Sequence, residues 1–241
     1  MKLSKTLLFI GLLFIGYTVS AQKAEVGISG GFGTTWLLNK NVFDRGPELD
    51  PVVSLGGNYG LAATVYFTDK VGLGIEISNA IVNQKYKGVI GVTSYDTKTK
   101  LTFLEVPLLL KLKSGPSGFY FEIGPKLSYT LSATETYGSG IYSAYLGGGS
   151  VKNDFNSALI SGVIGIGGRI NVVDALTISI GVRFAGSISD ATQEYDLTVS
   201  NPNASYAGIA ANTKNDGTFD YKRTTLASGG LQFGLLYRIG K

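Results

Sequence analysis

Between Leu101 and Leu131 the side chains alternate along two long runs joined by Ser114-Gly115-Pro116-Ser117-Gly118. On the second run Phe119, Phe121, Ile123, Pro125, Leu127, Tyr129 and Leu131 share one face. Tyr120, Glu122, Gly124, Lys126, Ser128 and Thr130 share the other, as a strand's side-chain period of two requires. The first run puts Leu104, Val106, Leu108, Leu110 and Leu112 outward, and Glu105, Pro107, Leu109, Lys111 and Lys113 inward. One face suits lipid and the other carries charges of both signs, so the stretch predicts a transmembrane β-hairpin.

The same pattern recurs along the chain. The first strand is expected over Glu25–Leu37, with Val26, Ile28, Phe32 and Trp36 on one face and Glu25, Gly27, Ser29, Gly31 and Gly33 on the other. A long connection rich in turn residues, Leu38–Ser54, leads to a second strand over Leu55–Thr68. After a short link, the third strand runs over Val71–Tyr86 with Glu76 inward, and a connection over Lys87–Thr97 precedes the hairpin of strands four and five. Ala133–Asn156 reads as a long loop. The sixth strand, Ser157–Asn171, places Ser161, Gly165, Gly167 and Arg169 inward. The cleanest alternation is in the seventh, where Leu176, Ile178, Ile180, Val182 and Phe184 are separated by Thr177, Ser179, Gly181 and Arg183. The longest connection, Ser187–Thr225, precedes the eighth strand over Leu226–Ile239.

The fold expected is all-β: an eight-stranded antiparallel transmembrane β-barrel with short periplasmic turns and long extracellular loops. A soluble β-sandwich or lipocalin-like barrel would share the periodicity. It would bury its apolar face inside, whereas here the inward face holds the charges. Composition agrees, since 34 glycines, 14 tyrosines and 12 phenylalanines suit tight turns and interfacial girdles.

Residues 1–21 read as a cleaved secretory signal peptide: Lys2 and Lys5, an apolar run over Leu7–Tyr17, then Val19-Ser20-Ala21 before Gln22. Residues 22–241 are then one outer-membrane barrel domain, exported to the periplasm and inserted in the outer membrane of a Gram-negative bacterium. Removing Lys2 and Lys5 lowers the formal charge from +4 to +2, which offers no basic footprint for nucleic acid. There is no cysteine, hence no disulfide, thiolate metal site or lipidated cysteine. Beyond the signal, the longest apolar runs are too short for a helix to cross a bilayer, and a closed barrel is the remaining way to satisfy every backbone group in hydrocarbon.

The inward positions gather Glu25, Glu76, Glu105 and Glu122 against Lys111, Lys126, Arg169, Arg183 and Arg238. An eight-stranded barrel is just wide enough for side chains to fill, so these residues are expected to pair as a structural charge network. A narrow polar ion path between the pairs is the functional alternative.

Enzymatic chemistry finds little to use. The chain has no histidine, which removes the imidazole base of a Ser-His rim site. With neither histidine nor cysteine, only an all-oxygen Ca²⁺ site is open, and its one candidate is Asn212–Asp220. There Lys214 and Arg223 stand where ligands are needed, so a turn is expected and no metal or cofactor. Gly165, Gly167 and Gly168 lie inside a strand and form no phosphate cradle. Asn203-Ala204-Ser205 is a bare sequon. In the long loops Tyr137, Tyr142, Tyr145, Tyr195, Tyr206 and Tyr221 mix with Ser, Gly and Asn, which suits an envelope or extracellular partner.

The run FLEVPLLLKLKSG followed by GFYFEIGPKLSYTLSA resembles the Bacteroidetes outer-membrane β-barrel family, PorT-like proteins included, within the OmpA/OmpX-like superfamily. The residues that carry the resemblance are Leu104, Glu105, Pro107, Leu108, Lys111, Gly118, Phe119, Gly124 and Pro125. The last strand is similar to the signal by which the barrel-assembly machinery recognises clients, with Gln232, Gly234, Tyr237 and Ile239 at the matching positions. Gly240-Lys241 follows where many barrels stop on an aromatic. The function expected from the residues is that of a non-enzymatic envelope barrel with a structural or loop-mediated role, with a small porin-like channel as the alternative; the PorT resemblance implies a third reading, an accessory barrel of a secretion system.

Overall fold

The computed structural model describes residues 23–90, 93–115, 117–139, 149–194, 205–214 and 216–240. The expected signal peptide lies outside them. Eight long strands form the wall: β1 (Lys23–Asn39), β3 (Ser54–Tyr66), β4 (Val71–Ile90), β5 (Thr93–Lys113), β6 (Gly118–Ser139), β8 (Ala158–Val173), β9 (Leu176–Ser187) and β10 (Thr224–Ile239). Each pairs antiparallel with its neighbours in the order β1-β3-β4-β5-β6-β8-β9-β10, and β10 pairs back onto β1. The ring is closed by sixteen residue pairs, from Ala24 opposite Ile239 to Asn39 opposite Thr224. Two short strands, β2 (Asp50–Val52) and β7 (Gly149–Ser150), pair with β4 and β6 outside the ring.

Both ends of the barrel chain and the turns 67–70, 114–117 and 174–175 lie at one rim. By the rule that outer-membrane barrels keep short turns on the periplasmic side, this is the periplasmic rim. The β5–β6 turn shows how the sequence specifies it: the Ser114 backbone N–H donates to the Phe119 carbonyl at 2.9 Å, and Gly118 has a φ of +130°, which only glycine tolerates.

The outward parity is apolar and uncovered by protein, as at Ile28, Phe32, Leu61, Ile77, Ile166 and Phe184. Such a contiguous apolar belt fits hydrocarbon. The inward parity is buried, and where it lacks side chains something else fills the space. Gly167 opposes Gly181 across β8–β9, and the Tyr120 ring lies against both; a Cβ on Gly167 would sit 2.6 Å from Tyr120 Cε1. Gly168, one residue on and facing outward, has nothing within 4 Å of the equivalent position.

Two expectations about connections need correction. Lys87–Thr97 is not a loop: β4 and β5 stay paired from Val71–Leu112 to Ile90–Thr93. Likewise Ala133–Ser139 continues β6 rather than opening the loop. These three strands have 20, 21 and 22 residues against 13 in β3 and 12 in β9, so one side of the barrel rises roughly 25 Å further along the strand direction.

The inward face is also not charged throughout. Toward the extracellular rim it becomes an apolar core in which Leu37, Tyr86, Leu101, Phe103, Ala133 and Leu159 are almost fully buried. Loop residues complete that core: Val42 from helix α1 (Lys40–Asp44), Leu49, Phe155, and Ala207 and Ala210 from helix α2 (Tyr206–Asn212).

Candidate functional site

Three ion-pair groups occupy the barrel below the apolar core. In the first, Arg183 on β9 donates from Nη1 and Nη2 to the two oxygens of Glu76 on β4, at 2.8 and 2.9 Å, and from Nε to Glu122 on β6 at 2.7 Å. Lys111 on β5 stands 3.5 Å from Glu76 and 3.6 Å from Glu122. The wall makes room for the guanidinium, because Arg183 lies directly between Gly230 and Gly165 in the sheet. A planar fork satisfied on both edges by carboxylates is the geometry in which a buried arginine is best compensated.

In the second group Arg169 on β8 donates to Glu25 on β1 at 2.5 Å and to the Tyr66 hydroxyl at 2.6 Å, and that hydroxyl in turn donates to Glu25 at 3.2 Å. Lys113 sits 3.9 Å from Glu25, with its ammonium 3.5 Å from the centre of the Tyr66 ring. In the third, Lys126 and Ser128 of β6 donate to Glu105 of β5 at 2.5 and 3.3 Å.

Arg238 differs from the expectation of an ion pair. It faces inward at the periplasmic rim and donates to Asn171 Oδ1 at 3.0 Å and to the Asp174 carbonyl at 3.2 Å, with no carboxylate partner among the described residues. Glu25, Glu76, Glu105 and Glu122 thus face six cations counting Lys113; Lys113 shares Glu25 with Arg169 and rests on the Tyr66 ring, and Arg238 is held by neutral oxygens at the rim.

Sequence reasoning missed Tyr66 and the role of Lys113. Both lie on inward parity near the short turns, and parity was the signal available for Tyr66; its contact with Arg169, 103 residues away, depends on barrel closure.

Beside the inward glycine row Gly56–Gly33–Gly230 lies a cavity of about 80 Å³, bordered by Glu105, Lys126, Arg183 and Gln232. Gln232 Nε2 is buried there without a protein partner, and the space suits a few waters. Of the other last-strand positions, Gly234 lies between Ser29 and Ser179, while Tyr237 and Ile239 face outward.

At the extracellular rim the loops are tied to each other. Asn39 caps α1 by accepting from the Asn41 N–H at 2.8 Å, and Asn41 Nδ2 donates to the Asp220 carbonyl at 2.6 Å. Arg45 reaches Thr213 Oγ1 at 2.7 Å. Ser205 caps α2 by accepting from the Gly208 N–H at 2.9 Å, and its own N–H donates to Asp154 at 2.5 Å. Burial pushes the Asp154 carboxyl above the ordinary range, and the Ser205 N–H offsets this in part.

The candidate calcium segment forms a tight turn in which the Lys214 N–H donates to the Thr218 carbonyl at 2.9 Å and Gly217 has a φ of +82°. Of the loop tyrosines, Tyr137 donates to Glu135 at 3.0 Å and Tyr221 to Asp190 at 2.5 Å. Tyr142, Tyr145 and Tyr195 lie outside the described residues, as does Asn203 of the sequon.

Residues 20–193 match the family described as outer membrane protein beta-barrel domain. The chain belongs to that family. A closed ring of eight antiparallel strands with an apolar exterior is therefore a barrel of the bacterial outer membrane. Solved structures similar to it include Ail of Yersinia pestis in complex with the heparin analogue sucrose octasulfate, at 12% identity and a TM-score of 0.38, covering 90% of this chain and 99% of that one. OprG of Pseudomonas aeruginosa is 14% identical with a TM-score of 0.36, covering 91% and 96%. Neisserial surface protein A is 11% identical with a TM-score of 0.34, covering 88% and 96%. No curated protein sequence matches the chain.

Two predictions follow from this geometry. Arg183→Met leaves Glu76 and Glu122 facing each other across one lysine and should cost about 3–5 kcal/mol in reversible denaturant unfolding from vesicles; Arg238→Met, at the rim, should cost far less. The second concerns Asp154. Its folded pKa lies above the unfolded value, so its favourable contribution is complete below the ordinary carboxyl range and is lost as pH rises through the folded pKa. Proteolysis of the 188–223 loop should therefore be slower at acid pH than at neutral pH, and Asp154→Asn should abolish that difference.

Proposed function

We propose that this protein is a non-enzymatic outer-membrane barrel, closed to solutes, whose role is structural or carried by its extracellular loops. The observation that carries the reading is the filling of the lumen in two layers. Ion pairs occupy the periplasmic part, and an apolar core shared with α1 and α2 closes the extracellular mouth. The tied loops present a shaped surface to the outside, which supports an envelope or extracellular partner there. Among the described residues no inward or rim group combines the nucleophile, base and oxyanion donors that hydrolytic chemistry needs, and the chain has no histidine to serve as base.

The reading includes removal of residues 1–21 on export, and recognition of the last strand by the assembly machinery through Gln232, Gly234, Tyr237 and Ile239. The pairs Glu25–Arg169, Glu76–Arg183–Glu122 and Glu105–Lys126 hold the wall together in this account rather than lining a path. The narrower PorT-like role in secretion rests on the hairpin resemblance alone, and copurification of a secretion complex is its discriminator.

Planar-bilayer recording tests the closed lumen. Protein shown to be folded by heat-modifiable gel mobility should give no stable conductance steps. Discrete steps that change on Arg183→Gln would replace this reading with the channel.

A further inference from the structure

We propose that the outer wall of the protruding β4–β5 sheet is a binding site for the phosphate groups of outer-leaflet glycolipid, built from Lys85, Lys98 and Lys100. All three are on outward parity. Lys85 lies directly opposite Lys98 across the strand pair, and Lys100 lies two residues on, opposite Asn83. Among the described residues none of them forms an ion pair or donates a side-chain hydrogen bond. Like charges placed opposite each other destabilise a sheet unless an anion lies between them.

Their height on the barrel identifies the anion. On β5 the apolar belt runs outward from Leu112 to Leu104, and Leu104 is flanked on β6 by Tyr129, an exposed aromatic at the level of an interfacial girdle. Lys100 follows four residues above Leu104, about 13 Å along the strand. The ammonium groups therefore emerge where hydrocarbon gives way to headgroups, on the wall that faces lipid.

The acidic residues of this face sit one row higher: Asp50 and Asp96 lie on either side of Lys87. The two rows nearest the membrane carry the three lysines, with Thr134 of β6 opposite Lys100, a hydroxyl able to donate to the same phosphate; Thr136, opposite Lys98, donates instead to the Lys98 carbonyl at 3.5 Å. Protection of an open sheet edge does not account for the arrangement. Lysines serve that purpose on edge strands, whereas β5 is paired on both sides through Lys98 and Lys100.

The test uses the full barrel folded in detergent micelles, with bis-phosphorylated lipid A or the same glycolipid stripped of phosphate, and counts retained lipid by native mass spectrometry. The wild type should hold the phosphorylated form. K85Q/K98Q/K100Q should weaken it by about fivefold for each lysine removed, while K85R/K98R/K100R should retain it. The dephosphorylated glycolipid should not distinguish these proteins.

All three side chains are exposed or half-exposed and unbonded, so equal heat-modifiable mobility of the variants is expected and is checked first. The charge-matched variant K40Q/K152Q/K214Q, altered in the loops, controls for net charge. Retention by the glutamine variant equal to wild type, an equal loss in the loop variant, or full displacement by inorganic phosphate at the lipid's own concentration would each overturn the proposal. The last outcome would assign the patch to free anions.

Discussion

Hydrocarbon offers a peptide group nothing to hydrogen-bond with, and a strand that enters it must find both its neighbours inside the protein. Closure of β1 onto β10 meets that requirement for all eight long strands at once. Everything else in the molecule follows from the cost of closing so few strands. The ring is too narrow to hold bulk water, so every inward side chain must be matched to the one across the lumen. Arg183 meets Glu76 and Glu122, and Arg169 meets Glu25 and Tyr66, only because the ring brings together strands far apart in sequence.

The lumen is filled by two different chemistries, and the difference tracks distance from the termini. Near the periplasmic rim the fill is ionic, with Arg183 bridging Glu76 and Glu122 and Arg169 joining Glu25 to the Tyr66 hydroxyl. Removing one partner there strands a buried charge, which makes these pairs stiff constraints on the barrel's cross-section. Toward the outside the fill is apolar and partly borrowed from the loops. Asn39 and Ser205 cap α1 and α2 at their own N-termini, while Asn41 reaches the Asp220 carbonyl and Arg45 the Thr213 hydroxyl, which ties α1 to the segment after α2. Between the layers, glycines on β1, β3 and β10 leave a small cavity bordered by Glu105, Lys126, Arg183 and Gln232.

Much of the wall was legible in the sequence because lipid on one side and a crowded lumen on the other impose a contrast at every second residue. Leu176 to Phe184 and Leu104 to Leu112 show it without interruption, and the inward placement of the four glutamates followed from parity alone. The reading stopped where the contrast stops. Beyond the apolar belt the outward face of β4 and β5 leaves hydrocarbon, so Lys85, Lys87, Lys98 and Lys100 replace leucine and isoleucine, and a paired strand reads as a loop. Leu101 and Phe103 share inward parity with Glu105, yet nothing local says that their partners are Val42, Phe155 and Ala207 from three separate loops. Arg238 faces inward, but among the described residues Asn171 and the Asp174 carbonyl take its hydrogen bonds in place of a carboxylate.

The central claim is that the extracellular mouth is sealed by that apolar core, and a chain without cysteine permits a direct measurement of it. Ala133, fully buried on β6, and Val89, 45% exposed on the protruding hairpin, can each be replaced by cysteine and challenged with a membrane-impermeant maleimide on intact cells. The account predicts rapid labelling of Val89→Cys and none of Ala133→Cys until the protein is denatured. Labelling of Ala133→Cys in the folded barrel at a rate comparable to Val89→Cys would mean that water reaches the core, and the sealed mouth would have to be abandoned.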